Sequence, residues 1–182
     1  MESLKTIQKL SKLGKILSKI VYVFCLVGLI LCIIGGLGLI FISESFELAN
    51  IKIHGLIESN INFSKEIIYA ALIIGIIELA CEMYISKQAQ KYFEYELEEG
   101  TPFTEEGANK IKRLGLIVIF IPLVASFVSA LGFEIAKQTM NFTGKLDINF
   151  DISLTLGITF LILSAIFRYG SSLIKNKTEN KE

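Results

Sequence analysis

Four apolar runs, each long enough to cross a bilayer, divide this sequence. A helix needs about 20 mostly apolar residues to span the hydrocarbon core, because lipid offers no hydrogen-bond partner to a free backbone amide. The runs cover residues 20–42, 67–85, 114–136 and 152–170, and most lack the polar face that a soluble helix would carry. The sequence therefore predicts an all-α membrane protein, built as a bundle of four transmembrane helices in a single domain.

The distribution of basic residues predicts how this bundle is oriented. Fourteen of the 18 Lys and Arg residues lie in the N-terminal arm, in the loop between spans 2 and 3, or in the tail from Arg168. Basic residues collect on the cytoplasmic side of membrane proteins. We therefore expect a multi-pass membrane protein with both termini in the cytoplasm. The formal net charge is zero, which gives no reason to expect direct binding of nucleic acid.

The arm, residues 1–19, has the pattern of an amphipathic helix. On a helical wheel its five lysines fall on one side, and Leu10, Leu13 and Leu17 lie on the other. This pattern predicts an interfacial helix that lies in the headgroup region with its lysines toward anionic lipid. A solvated helix that leads into the first span is the alternative.

The two outer loops alternate apolar and polar residues with a period of two. Residues 51–54 and 146–152 show the pattern, and 60–63 suggest a third stretch. Alternation of this kind is typical of strands. We expect them to pair as a small extracellular β cap above the helices.

The second loop predicts a helical hairpin that projects into the cytoplasm. Span 2 continues as a helix to about residue 99, and Gly100 supplies a natural stop because residues past a helix end often need a positive φ. Thr104 can cap a new helix, whose first turn carries acidic residues against the positive end of the helix dipole. This helix, residues 105–136, contains span 3.

The hairpin sequence resembles a family signature. Residues 100–115 are similar to the pattern G-x-P-F-T-x-x-N-x-x-x-L-R-x-I-G of a widespread family of small four-helix bacterial membrane proteins of unknown function. The residues assigned to this signature are Gly100, Pro102, Phe103, Thr104, Asn109, Arg113 and Gly115. The tail, residues 166–173, resembles the closing F-R-x-G-x-x-L of that family. Asn109 comes two residues after the asparagine position of the pattern, Arg113 comes one residue after its arginine position, and residues 174–177 replace an acidic stretch.

The resemblance implies a partner. Members of the family are often encoded beside a small helix-turn-helix regulator. The resemblance therefore implies a protein of the bacterial plasma membrane that works with a cytoplasmic regulatory protein. The cytoplasmic tail, 171–182, and the hairpin are the parts that such a protein could contact.

Two carboxylates lie within span 2. Glu78 and Glu82 continue a stripe of small residues, which predicts that they face the bundle interior. A charge at that depth is costly, so it should be paired, protonated or hydrated. Arg168 lies at the right level to pair with Glu82. Glu78 is then expected to hold a proton, to bind a polar ligand or cation, or to anchor two helices by a hydrogen bond.

These features favour a regulatory or sensing protein over two other classes. The alternative is a small transporter or channel for protons or cations, which would use Glu78 and Glu82 and would need a homo-oligomer to enclose a pathway. An enzyme is not expected, because no nucleophile, base and orienting group occur together. No cofactor or metal is expected either. The three cysteines all lie in apolar runs and are predicted to be structural.

Overall fold

The computed structural model describes residues 2–41, 65–140 and 151–179. Within them the chain forms four helices: α1 (Glu2–Phe41), α2 (Lys65–Glu99), α3 (Glu105–Met140) and α4 (Asp151–Glu179). Each contains a stretch that is long and apolar enough to cross a membrane. The prediction of a four-helix, multi-pass membrane protein is confirmed at this level.

The helices are longer than a bilayer requires. At 1.5 Å per residue, the 40 residues of α1 extend about 60 Å, against about 30 Å for a hydrocarbon core. The 35 residues of α2 and the 36 of α3 give about 50 Å each. All four helices therefore project beyond the apolar layer. The α2–α3 turn lies at one end of the molecule, which we call the hairpin end.

Helix α1 runs antiparallel to α2 along nearly its whole length. Gln8 lies beside Gly100, Gly28 lies beside Leu79, and Cys32 lies beside Gly75. The residue numbers in each pair sum to nearly the same value, so the two helices stay in one register from the membrane to the turn. The arm is thus the start of α1 and packs on α2. A separate interfacial helix is not confirmed, because the arm's alignment with α2 continues that of the span.

The helices pack in the order of the chain. Helix α1 contacts α2, α2 contacts α3, and α3 contacts α4. Between the described parts of α1 and α4 no Cα atoms approach within 8 Å. Most of the α1 surface is exposed as a result, with 72% of Phe24 accessible. In a bilayer this surface would face lipid.

The predicted β cap falls almost wholly outside the described residues. Residues 51–54, 60–63 and 146–150 are not among them. Asp151 and Ile152, which the alternation assigns to a strand, begin α4 instead. No strand occurs in the described part of the chain.

Gly14 is expected to be essential for the contact between the arm and α2. A Cβ atom at this position would lie 2.6 Å from Cζ of Phe93. Gly14→Leu should therefore destabilise the protein by about 1–3 kcal/mol through overpacking, despite its better helix propensity. The measurement is the apparent melting temperature of the full chain in detergent.

Gly38→Leu is the matched control for this prediction. Gly38 belongs to the same helix, but a Cβ there would meet nothing within 4 Å. This variant should melt no lower than the wild type. Equal melting temperatures for both variants would contradict the described packing of the arm.

Candidate functional site

The turn between α2 and α3 is closed by local hydrogen bonds at both helix ends. Gly100 has a φ of +71°, and its amide donates to the Glu96 carbonyl at 3.0 Å. Thr104 Oγ1 accepts a bond from the Gly107 amide at 2.9 Å, which satisfies one of the free amides at the start of α3. Thr101 Oγ1 accepts another from the Phe103 amide at 3.3 Å. The turn is therefore a defined structure with both ends capped.

Side chains from α2 and α3 reinforce the turn. The Tyr95 hydroxyl lies 3.1 Å from Thr104 Oγ1, close enough for a hydrogen bond. Lys110 Nζ lies 4.3 Å from the centre of the Tyr95 ring, within the range of a cation–π interaction. The same ammonium group pairs with Glu106 at 3.1 Å. Tyr95 thus links the last turn of α2 to the first turns of α3.

Helix α4 docks on the turn through an aromatic pair and a glycine. The rings of Phe103 and Phe167 meet edge to face, with centroids 5.5 Å apart and planes at 82°. A Cβ on Gly170 would lie 2.6 Å from Cδ1 of Phe103, so the ring occupies the space that a side chain would need. Larger residues at position 170 would displace Phe103 from α4.

Two polar contacts join α4 to the start of α3. Arg168 Nη2 donates to Asn109 Oδ1 at 2.7 Å. The Ser164 hydroxyl donates to the buried Ala108 carbonyl at 2.8 Å. Below them Gly115 and Gly157 bring the two backbones together, since a Cβ on Gly115 would lie 3.0 Å from the Gly157 carbonyl oxygen.

The two segments that carry the family resemblance are therefore brought together in space. Phe103, Asn109 and Gly115 in the first segment contact α4, and Phe167, Arg168 and Gly170 in the second form part of the opposing surface. Gly100 and Thr104 shape the turn itself, and Pro102 is buried. Arg113 is exposed.

The prediction that Arg168 pairs with Glu82 is wrong. Arg168 bonds to Asn109, and the backbone of α4 approaches α3 but not α2. Glu82 is exposed and Glu78 is half-buried, so the described helices do not enclose either carboxylate as the sequence predicts. The faces of α2 that are packed carry Gly75 toward α1 and Ile74 toward α3.

The sequence analysis missed a buried polar cluster between the arm and α2. Ser11, Tyr92 and Glu96 are all nearly inaccessible. The Ser11 hydroxyl donates to the Ile7 carbonyl at 2.9 Å, and the hydroxyls of Ser11 and Tyr92 both lie close to the Glu96 carboxyl. Burial raises the pKa of Glu96, and the hydrogen bonds from Ser11 and Tyr92 only partly offset that rise. Burial, followed by the nearby Glu96 carboxyl, raises the pKa of Tyr92 as well.

An ion pair borders this cluster. Lys15 Nζ lies 3.1 Å from Glu94 Oε1. The hydrogen bond from Lys15, then that from Gln90, lowers the pKa of Glu94 below its ordinary value. Two carboxylates only two residues apart thus have opposite environments, because Glu94 faces a lysine and Glu96 is buried between helices.

One signal in the sequence could have revealed the cluster. Small residues recur at helical spacing on the arm, at Ser11, Gly14 and Ser18, between the lysine face and the leucine face. Small residues mark the places where helices approach closely. In the structure Leu10, Leu13 and Leu17 are exposed, and this small-residue stripe contacts α2.

Comparisons of the chain with known protein families, with characterised proteins and with solved structures find no match. Among the described residues, no group of three or more His, Cys, Asp and Glu side chains is placed to hold a metal ion.

Neutralising Glu96 should stabilise the protein at neutral pH. The pKa of Glu96 is higher in the folded state than in the unfolded state. Its contribution to the free energy of unfolding is therefore greatest below the unfolded-state pKa and is lost as the pH rises through the folded-state pKa. Glu96→Gln removes that loss and keeps groups that can bond to Ser11 and Tyr92. We expect the variant to melt higher than the wild type at pH 8, with a difference that shrinks toward pH 4.

Glu99→Gln is the control, because Glu99 is exposed on the next turn of the same helix. It should leave the pH dependence of the melting temperature unchanged. If Glu96→Gln melts lower than the wild type at pH 8, the carboxylate is needed in its ionised form and the interpretation is wrong.

Proposed function

We propose that this protein is a regulatory or sensing component of a bacterial plasma membrane, with its hairpin and both termini in the cytoplasm. The orientation is supported by the excess of basic residues at the hairpin end. In this proposal the four spans respond to the state of the bilayer or to a small ligand. The hairpin reports that response to a cytoplasmic protein, and no catalytic step is involved.

The observation that carries this proposal is that both outer helices contact the same turn. Helix α1 reaches it through Gln8 beside Gly100, and α4 reaches it through Gly170 beneath Phe103. The described parts of these two helices do not pack on each other. A shift of one outer span relative to the other would therefore be imposed on residues 100–103, because those residues are held from both sides.

The surface of the turn suggests the chemistry of the partner. Exposed carboxylates surround it, at Glu98, Glu99, Glu105 and Glu106, and we call this set the acidic tip. The exposed basic residues of α3 lie further along the helix, at Lys112 and Arg113. An acidic surface favours a basic partner and disfavours nucleic acid itself. A small DNA-binding regulator, which the family resemblance implies, has such a basic surface.

The test is quantitative co-purification of the full chain in mild detergent. A variant with all four tip residues changed to Gln should lose a basic cytoplasmic protein that the wild type retains. The substitutions are at exposed positions, and the pair between Glu106 and Lys110 contributes about 0.3–0.5 kcal/mol, so the fold should persist.

Glu134→Gln is the matched control for the acidic tip. Glu134 is an exposed carboxylate near the other end of α3 and also pairs with a lysine, Lys137, at 3.7 Å. This variant should retain the partner. Equal recovery of the same proteins with the tip variant and the wild type would refute the proposed contact.

A second candidate function, transport of protons or cations, is favoured by one observation. Glu78 and Glu82 lie on the membrane-spanning part of α2, and Glu82 remains exposed in the single chain. An exposed carboxylate at that depth is costly unless water, an ion or a second copy of the chain covers it. A homo-oligomer could bring such residues together around a pathway.

Flux through proteoliposomes tests this second candidate. Glu78→Gln and Glu82→Gln should each reduce proton or cation flux by at least tenfold if the carboxylates carry the ion. Glu134→Gln, which changes an exposed carboxylate at the end of a span, should not. The absence of flux in the wild type would exclude the candidate.

A further inference from the structure

A groove opens between α3 and α4 beside the hairpin. Its volume is about 600 Å³, and it is lined by Lys112, Leu161, Ser164, Ala165, Arg168, Tyr169 and Ser172. The lining residues from Leu161 to Ser172 extend for about 16 Å along α4. Leu161 lies on the side of the groove toward the spans, Tyr169 and Ser172 lie toward the end of α4, and Lys112 faces them from α3. The groove thus combines apolar and cationic side chains.

The two cations of the groove are available for a ligand. In the described part of the chain Lys112 has no carboxylate within ion-pair distance, whereas Lys110, two residues earlier, is paired with Glu106 and stacked on Tyr95. Arg168 bonds to the neutral side chain of Asn109, which fixes the guanidinium without neutralising its charge. No carboxylate lines the groove. Its positive charge is therefore uncompensated by the protein.

We infer that this groove binds one anionic phospholipid. Lys112 and Arg168 hold the phosphate, and one acyl chain lies against Leu161 and Ala165 toward the centre of the bilayer. A guanidinium and an ammonium group are the usual partners of phosphate oxygens in proteins. Tyr169, which is 67% exposed, also lines the groove, and tyrosine is enriched at the headgroup level of membrane proteins. The groove offers both cations and apolar side chains, the two kinds of group that a phospholipid contacts.

The apolar residues that line the groove distinguish a lipid from free phosphate. A soluble phosphate would use only the two cations, which are open to water and weakly attractive at physiological salt. An acyl chain adds van der Waals contacts with Leu161 and Ala165 that a free phosphate cannot make. The lipid is therefore the occupant that the whole lining fits.

This inference is independent of the proposed partner, because the groove and the acidic tip share no residues. The two are connected through Asn109, which lies on the first turns of α3 and bonds to Arg168. A phosphate could contact the side of the guanidinium that faces away from Asn109. Lipid binding would then not require Arg168 to break its hydrogen bond with Asn109.

The experiment measures lipid binding to the intact chain by native mass spectrometry. Delipidated protein in a neutral detergent is titrated with phosphatidylglycerol, which is anionic, or with phosphatidylcholine, which is zwitterionic. We expect one phosphatidylglycerol per chain at concentrations where phosphatidylcholine does not bind. Equal binding of the two lipids would overturn the inference.

Three variants locate the site. Lys112→Gln should weaken phosphatidylglycerol binding about fivefold, since one cation near a membrane surface contributes about that factor. Arg168→Lys keeps the charge but loses the planar group, and should weaken binding less than Arg168→Gln. Because Arg168→Gln also loses the bond to Asn109, Lys112→Gln is the decisive change: Lys112 makes no described hydrogen bond or ion pair with the protein.

Arg113→Gln is the matched control, because Arg113 is an exposed cation next to Lys112 in sequence but does not line the groove. It should bind phosphatidylglycerol as the wild type does. Equal weakening in Arg113→Gln and Lys112→Gln would show diffuse attraction to a charged surface and would overturn the inference. Displacement of the lipid by millimolar inorganic phosphate would show a site for free phosphate instead.

Discussion

Close approach of helices at small residues holds this molecule together. In lipid there is no hydrophobic drive for one apolar helix to leave its surroundings for another, so association depends on van der Waals packing and on hydrogen bonds between helices. Leu79 of α2 lies against Gly28 of α1, and the backbones of α3 and α4 meet at Gly115 and Gly157. Between α2 and α3, Ala70 and Ile74 pack against Phe133. Each contact joins one pair of consecutive helices, which is why the outer two can remain apart.

The polar contacts between the described helices are concentrated toward the hairpin end. The bond of Arg168 to Asn109, the pair of Lys15 with Glu94 and the capped turn all lie toward the hairpin end. The spans are thus held together by van der Waals packing, and the hairpin end is held together by hydrogen bonds and ion pairs. Directional bonds have defined lengths and angles, so they fix the geometry of the turn more tightly than the packing fixes the spans.

The sequence could predict the features that depend on local chemistry. Hydropathy identifies the four spans. Gly100 marks the end of α2 and Thr104 marks the start of α3, because capping involves residues close together in the chain. The sequence could not predict which helices become neighbours. The pairing expected between Glu82 and Arg168 assumed that α2 and α4 touch, and that depends on packing between distant segments. The arm shows the same limit. Its leucine face predicted a helix lying in the lipid headgroup region, but the small residues beside that face contact α2.

The uninterrupted length of α1 has a mechanical consequence. A single helix continues from the apolar layer to the level of the turn. If it stays straight, the part before residue 20 would swing with the span when the span tilts. Transmembrane helices adjust their tilt to the thickness of the surrounding lipid. A change of about 10° would displace the outer end of a lever of about 27 Å by roughly 5 Å, on the helical rise of 1.5 Å per residue. A change in bilayer thickness would thus move the N-terminal end of α1 sideways along α2.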